Sequence, residues 1–411
     1  IWGSVLIMPE HIWAGQDPFT FTFYDEEQGW PIGTGPYTLT LAESNRFVWD
    51  RDDNWWGAEA GFNDLPEPLR LIFQITGSEE NKGQLMANGE LDSVMNITPG
   101  AFEAILAQNP NIQAWYDELP YAWADPCPRQ LSFNLTVAPW DNVNMRKAVA
   151  AMIDRQQIID IAYEGTSEPS TTMFVQYGGM APFIDAIVDA GMGLPANADV
   201  AAGQALIEGE GYALNGDGMY EKDGEVLSAN IIVNNSTAEY TRTVDVVVEQ
   251  LRAGGIDATS QPLTGSTWGD NVNLGNFELA YNWDACGSIN EPWNSMNRFT
   301  SQFVVPVGER SPGSNNWVRW EGENTDAYSA IVDEIGTLPL GDEAIPGMVA
   351  EAYEYLYNDM PIIPLVQASK LVPFDTTYWT GWPTAENNYN HPATWWNSTH
   401  QIILNLRKAG S

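Results

Sequence analysis

Basic residues are scarce: 17 Lys and Arg stand against 55 Asp and Glu, a formal charge of −38 over 411 residues. A chain so acidic repels phosphate backbones and anionic lipid headgroups, which argues against a nucleic-acid partner and suits a secreted protein or a salty milieu. Cysteine is nearly absent. Cys127 and Cys286 cannot make a disulfide framework or a metal site by spacing, and the sequence leaves open whether they pair or stay as two buried thiols. The three histidines, His11, His391 and His400, include no His-Glu-x-x-His arrangement, and neither a Gly-x-Ser-x-Gly elbow nor a phosphate-binding Gly-x-x-x-x-Gly-Lys-Ser/Thr loop occurs. No enzyme, metal or cofactor is therefore expected. The paired carboxylates of a glycoside hydrolase stay as a remote alternative, because 55 acids guarantee accidental pairs. No run of eighteen apolar residues exists to span a bilayer, and no export signal is visible at the start of the sequence, as expected of a mature or truncated product.

What is present is alternation of strand and helix patterns, which favours α/β domains. Residues 68–76 place Leu69, Leu71, Phe73 and Ile75 at every second position and read as a half-buried strand; 79–88 follows as a helix and 94–97 as a strand. Met145, Ala148, Val149, Met152 and Ile153 form a stripe that predicts one helix over 142–163, capped by Asp141. Helical patterning returns at 199–211, 238–254, 325–335 and 342–358, and Met360-Pro361-Ile362-Ile363-Pro364-Leu365 reads as a buried strand. Asn215-Gly216-Asp217-Gly218 is taken as a turn, not a calcium loop, because no bidentate glutamate stands at the twelfth position.

Met8-Pro9-Glu10-His11-Ile12-Trp13, then Pro31-Ile32-Gly33-Thr34-Gly35-Pro36-Tyr37, the strand Arg46-Phe47-Val48-Trp49 and Arg51-Asp52-Asp53-Asn54-Trp55-Trp56-Gly57 occur in that order. This order resembles the family 5 extracellular solute-binding proteins, which deliver peptides, nickel chelates or oligosaccharides to ABC importers. The resemblance implies a two-lobed α/β fold of the periplasmic-binding-protein type (class II), with lobe I over 1–125 and 369–411, lobe II over 126–368, and the opening part of lobe I missing. It also implies hinge closure around a ligand, a membrane permease as partner, and a periplasmic or extracellular protein, a monomer, anchored by lipid through an absent N-terminus.

Eighteen tryptophans are an unusual number, and several stand beside polar residues instead of inside apolar runs. Indole faces pack on pyranose C–H faces while amides and carboxylates take the hydroxyls, although core filling competes for every such ring. The expected ligand-binding residues are Asn282, Trp283, Asp284, Glu291, Trp293, Asn294, Trp379 and Trp382. Residues 297–309 and the end of the chain, from Trp379 through Trp395-Trp396, resemble the branch that binds cello- or manno-oligosaccharides. A β-linked oligosaccharide is the expected ligand. An oligopeptide is the alternative, with Asp284 receiving its ammonium group, as the resemblance implies, and Arg298 or Arg319 its carboxylate.

Overall fold

The structure, a computed structural model, describes residues 8–17, 20–25, 27–396 and 398–410. It divides into two compact units, Ile1–Trp123 with Leu371–Ser411, and Ala124–Lys370.

The first unit carries the antiparallel sheet β1 (Tyr37–Glu43), β2 (Arg46–Arg51) and β3 (Arg70–Gln74), paired in that order. Trp49 lies opposite Leu71 and Phe47 opposite Phe73, so the expected alternation is realised as one apolar face. That face is not half-buried as its pattern suggests: Leu69, Phe73 and Ile75 remain exposed. The helices Glu79–Ala87 and Pro99–Leu106 begin where Ser78 and Thr98 accept the N–H groups of Asn81 and Ala101. Their inner residues Met86, Phe102 and Ile105 join Val94, Ile97 and Ile112 in a core. Residues 94–97 form no strand; Val94 and Ile97 are buried beside a single bridge between Ser93 and Phe374.

The second unit is built on a mixed five-stranded sheet of β4 (Arg129–Phe133), β5 (Ser228–Asn234), β6 (Asp257–Leu263), β7 (Leu279–Asn282) and β8 (Ile362–Val366), in the spatial order β6-β5-β7-β4-β8. β5 runs parallel to both β6 and β7, whereas β4 is antiparallel to β7 and β8. Alternation sorts the faces. Ile231 and Val233 enter the large core with Leu131, Leu279 and Leu365, while Ile232 and Ala280 face a smaller one with Trp268, Val272 and Phe277. Pro364 sits in β8, an outer strand of the sheet, where a missing N–H costs least.

The single helix expected over 142–163 is two helices, Val143–Met152 and Arg155–Ala162. Ile153 turns extended (φ −88°, ψ 118°), and the Asp154 carboxylate accepts the Gln157 N–H and starts a new helix, an option that the apolar stripe does not reveal. The first cap is Asn142, which accepts from Asn144, in place of Asp141. Asn215 closes its turn with its own side chain, accepting the N–H groups of Asp217 and Met219. Cys127 and Cys286 form a disulfide across 159 residues, tying the approach to β4 to the loop after β7. Truncating Ile231, fully buried at the centre of β5, to alanine is expected to cost about 3 kcal/mol in denaturant unfolding; a loss below about 1 kcal/mol would contradict this account of the core.

Candidate functional site

In the second unit β5, β6 and β7 end at the edge where β4 begins, and Trp283 follows directly on β7. The indole lies in a stack of rings: Tyr240 at 5.2 Å and 29°, Trp268 at 4.9 Å and 20°. Trp317 meets Trp268 edge-on at 5.7 Å. Tyr240 and Trp268 both stack on Trp283, which stays half-buried.

Beneath the stack lies Arg129, 1% exposed, with its guanidinium 5.1 Å from the Tyr240 ring and 5.7 Å from Trp283. Its Nε donates to Glu239 Oε1 (2.7 Å), its Nη1 to the Cys127 carbonyl (2.9 Å), and its Nη2 meets Asp125 Oδ2 at 3.4 Å. Lys370 reaches the same Asp125 oxygen at 3.1 Å, and Tyr163 donates to Glu239 at 3.0 Å. Burial opposes the charge on Arg129, but Glu239, then the Tyr240 oxygen and Asp125, hold it protonated well above its ordinary range. Two cations thus face two anions.

Asn282 is fully buried; its amide donates to Ser132 Oγ (2.8 Å) and accepts the Asp284 N–H (3.2 Å). Asp284 is also fully buried, 3.5 Å from Arg298 Nε. Burial pushes its carboxyl up to about 6 against the pull of Arg298. Glu291, raised mainly by burial, accepts the Asn294 N–H at 3.1 Å. This turn is clipped to the loop after β7 by Ser288 and Ser295, each of whose N–H groups donates to the other's hydroxyl. Asn294 is exposed, and Trp293, 37% exposed, rests on Gly336, where no Cβ would fit.

Of the two cations weighed as carboxylate anchors, Arg298 faces Asp284 and the Ser314 carbonyl. Arg319 is buried and donates to Ser311 Oγ and to the carbonyls of Trp317, Asn273 and Glu309. In the first unit Trp379 is half-buried, in a strand paired with Arg407–Lys408. Trp382 is buried, stacked on Phe374 at 5.3 Å and donating its indole N–H to the Trp379 carbonyl.

Of the expected ligand-binding residues after β7 and near the chain's end, the structure buries Asn282, Asp284 and Trp382 and leaves Trp283 half-buried in its ring stack. Sequence reasoning misses Arg129, Glu239, Tyr240 and Trp268. A usable signal is there: Asn-Asn-Ser-Thr (234–237) and Thr-Gly-Ser-Thr (264–267) are capping sequences that follow strands, and they mark where strand ends meet helix starts. A cavity of about 300 Å³ lined by Trp140, Tyr212, Glu225 and Glu278 opens at the other edge of the sheet, by the starts of β5 and β7. Among the described residues no cluster of three His, Cys, Asp or Glu is placed to hold a metal, and no helix is long and apolar enough to cross a membrane.

Replacing Arg129 by methionine is expected to cost about 3–5 kcal/mol, since it strands Glu239; urea unfolding with a loss under about 1 kcal/mol would show the cluster to be dispensable. Asp284 gives a pH signature. Folded Asp284 keeps its proton up to about pH 6 while the unfolded carboxyl loses it near its ordinary value of 3.8, so stability falls as pH rises between them and is flat above. Relative to Asp284→Asn, the wild type is expected to gain on the order of 3 kcal/mol on going from pH 7 to pH 4. A pH-independent difference would refute the assignment.

Residues 7–305 match the sequence profile of the bacterial extracellular solute-binding proteins, family 5 Middle. The nickel-binding periplasmic protein of Escherichia coli K12 is 25% identical over 236 residues, 56% of this chain and 41% of its own length. The glutathione-binding protein GsiB of Salmonella paratyphi A is 23% identical over 85% of this chain and 61% of its own. The chain thus spans less than two thirds of these relatives, which are named as binding proteins and not as enzymes. Among solved structures, the mannohexaose-bound periplasmic oligopeptide-binding protein of Thermotoga maritima superposes with a TM-score of 0.85 at 23% identity, covering 98% of this chain and 74% of that one. AppA of Bacillus subtilis in complex with a nonapeptide gives 0.73 at 14% identity over 98% and 72%. These structures have the two-lobed fold, and the alternation of helix and strand expected from the sequence is realised in it. The chain belongs to the family 5 bacterial extracellular solute-binding proteins.

Proposed function

We propose that this chain captures an uncharged solute, a β-linked oligosaccharide, outside the cytoplasm and delivers it to the permease of an ABC importer, acting as a monomer and breaking no bonds. Family membership supports the delivery role. The ligand class rests on one observation: the buried charges beneath Trp283 are matched within the chain. Arg129 and Lys370 face Glu239 and Asp125, while Asp284 lies 3.5 Å from Arg298 Nε with neither carboxylate oxygen hydrogen-bonded among the described residues. A peptide's termini would have to displace these partners at the cost of stranding a buried charge, whereas a neutral ligand leaves them intact. Exposed Trp293 and Asn294 and half-buried Glu291 are the contacts proposed for the second unit, and half-buried Trp379 is the one proposed for the first.

The oligopeptide reading keeps Asp284 as the ammonium anchor, and relatives with peptide ligands give it standing. Against it stand the complete burial of Asp284 and the guanidinium already facing it. Thermal-shift and calorimetric titration with cello- and manno-oligosaccharides, a tetra-alanine peptide and nickel–histidine separates the cases. A sugar is expected to raise Tm by several degrees at roughly a hundredfold excess over Kd, while the charged ligands leave it unchanged. Stabilisation by the peptide alone would overturn the oligosaccharide reading.

A further inference from the structure

The neutral-solute reading leaves open which groups would hold a ligand's hydroxyls, and any assignment of those groups rests on that reading. β5 and β6 run parallel and end together, each passing directly into a helix: Asn234-Asn235-Ser236-Thr237 leads into Ala238–Ala253 and Thr264 into Gly265–Leu274. In parallel sheets this edge is where solutes are met, because helix N-termini converge there with N–H groups that have no partner in their own helix. The two turns touch. The Asn235 N–H donates to the Leu263 carbonyl at 2.9 Å, and a Cβ added to Gly265 would lie 3.4 Å from the Asn234 amide nitrogen.

Across 234–237 and 263–267 the polar side chains are amides and hydroxyls without a single charge. Glu239, the acid of the first turn, is buried on Arg129. The turns also differ at their caps. Thr264 caps its own helix, accepting the Thr267 N–H, and its hydroxyl lies 3.0 Å from that of Thr267. Thr237 occupies the corresponding position of the other helix without capping it; the residue is only 8% exposed, yet its Oγ1 has no hydrogen-bond partner among the described residues. A buried hydroxyl without a partner is costly, and a bound hydroxyl would satisfy it.

We infer that these two turns form the hydroxyl-binding subsite of the second unit, with Thr237 Oγ1, the Asn234 amide and the hydroxyls of Thr264 and Ser266 as its groups. Tyr240, one turn into the first helix, connects this rim to the ring stack at Trp283. Helix N-termini also attract anions, but the first-turn Glu239 and the overall charge of −38 oppose one here, and no cation stands on either turn to neutralise it. The chemistry selected is an uncharged polyol.

The test is calorimetric titration of the 411-residue chain with mannohexaose, cellopentaose, tetra-alanine and inorganic phosphate, for the wild type, Thr237→Val, Asn234→Ala and the pair. Thr237→Val keeps the side-chain shape, so it carries the test should Asn234→Ala fold poorly. The wild type is expected to bind a sugar, Thr237→Val to keep the wild-type Tm, and the double variant to bind the sugar about tenfold more weakly while still folded. Sugar affinity unchanged in a folded double variant, or in Thr237→Val where only that variant folds, overturns the rim and leaves the proposed function standing. A wild type that takes the peptide or phosphate but no sugar, or none of the probes, overturns the neutral-solute reading and the rim with it.

Discussion

Arg129 is the group on which the second unit's binding edge depends. A guanidinium 1% exposed is tolerated only because every side of it is met: by Glu239 at the start of one helix, by Asp125 and the Cys127 carbonyl on the approach to β4, and by the faces of Tyr240 and Trp283. These partners come from different elements, so one side chain fixes the relative positions of β4, the helix Ala238–Ala253 and the segment after β7. The disulfide ties two of these segments together, and Lys370 completes the balance at Asp125. The aromatic stack is consequently a supported wall.

A chain with a formal charge of −38 could be expected to present acid wherever it binds. Beneath Trp283 the opposite holds: Arg129 and Lys370 are buried with Glu239 and Asp125, and the turns that end β5 and β6 carry only neutral dipoles. The excess of acid belongs to the rest of the surface, where it serves solubility. This separation links electrostatics to ligand class, since the cations beneath the ring stack are already held by acids of the chain.

Much of the local fold is legible in residue periodicity. The strand at 70–74, the helix at 238–253 and the buried strand at 362–366 are all visible as alternation, a helical stripe or an apolar run. The break at Ile153 is not, because an apolar stripe continues through it and only the competition of the Asp154 cap decides the matter. The exposed apolar face of β3 misleads for the complementary reason: alternation says that a strand has two unlike faces, not that anything covers one of them. At the site, composition identifies the aromatic and polar stretch from Asn282 to Asn294 but cannot assign orientation. Whether an indole meets solvent or another ring depends on Tyr240 and Trp268, which are distant in sequence and reach Trp283 only through the order of strands β6, β5 and β7.

The central claim, that an uncharged solute is held at the carboxyl ends of β5, β6 and β7, is tested most directly by hydrogen–deuterium exchange with and without a saturating neutral oligosaccharide. The account predicts slowed exchange in 235–240, 264–268 and 283–294, with little change at the cavity beside Trp140. Protection confined to other segments, or obtained with a charged peptide and not with the sugar, would contradict it.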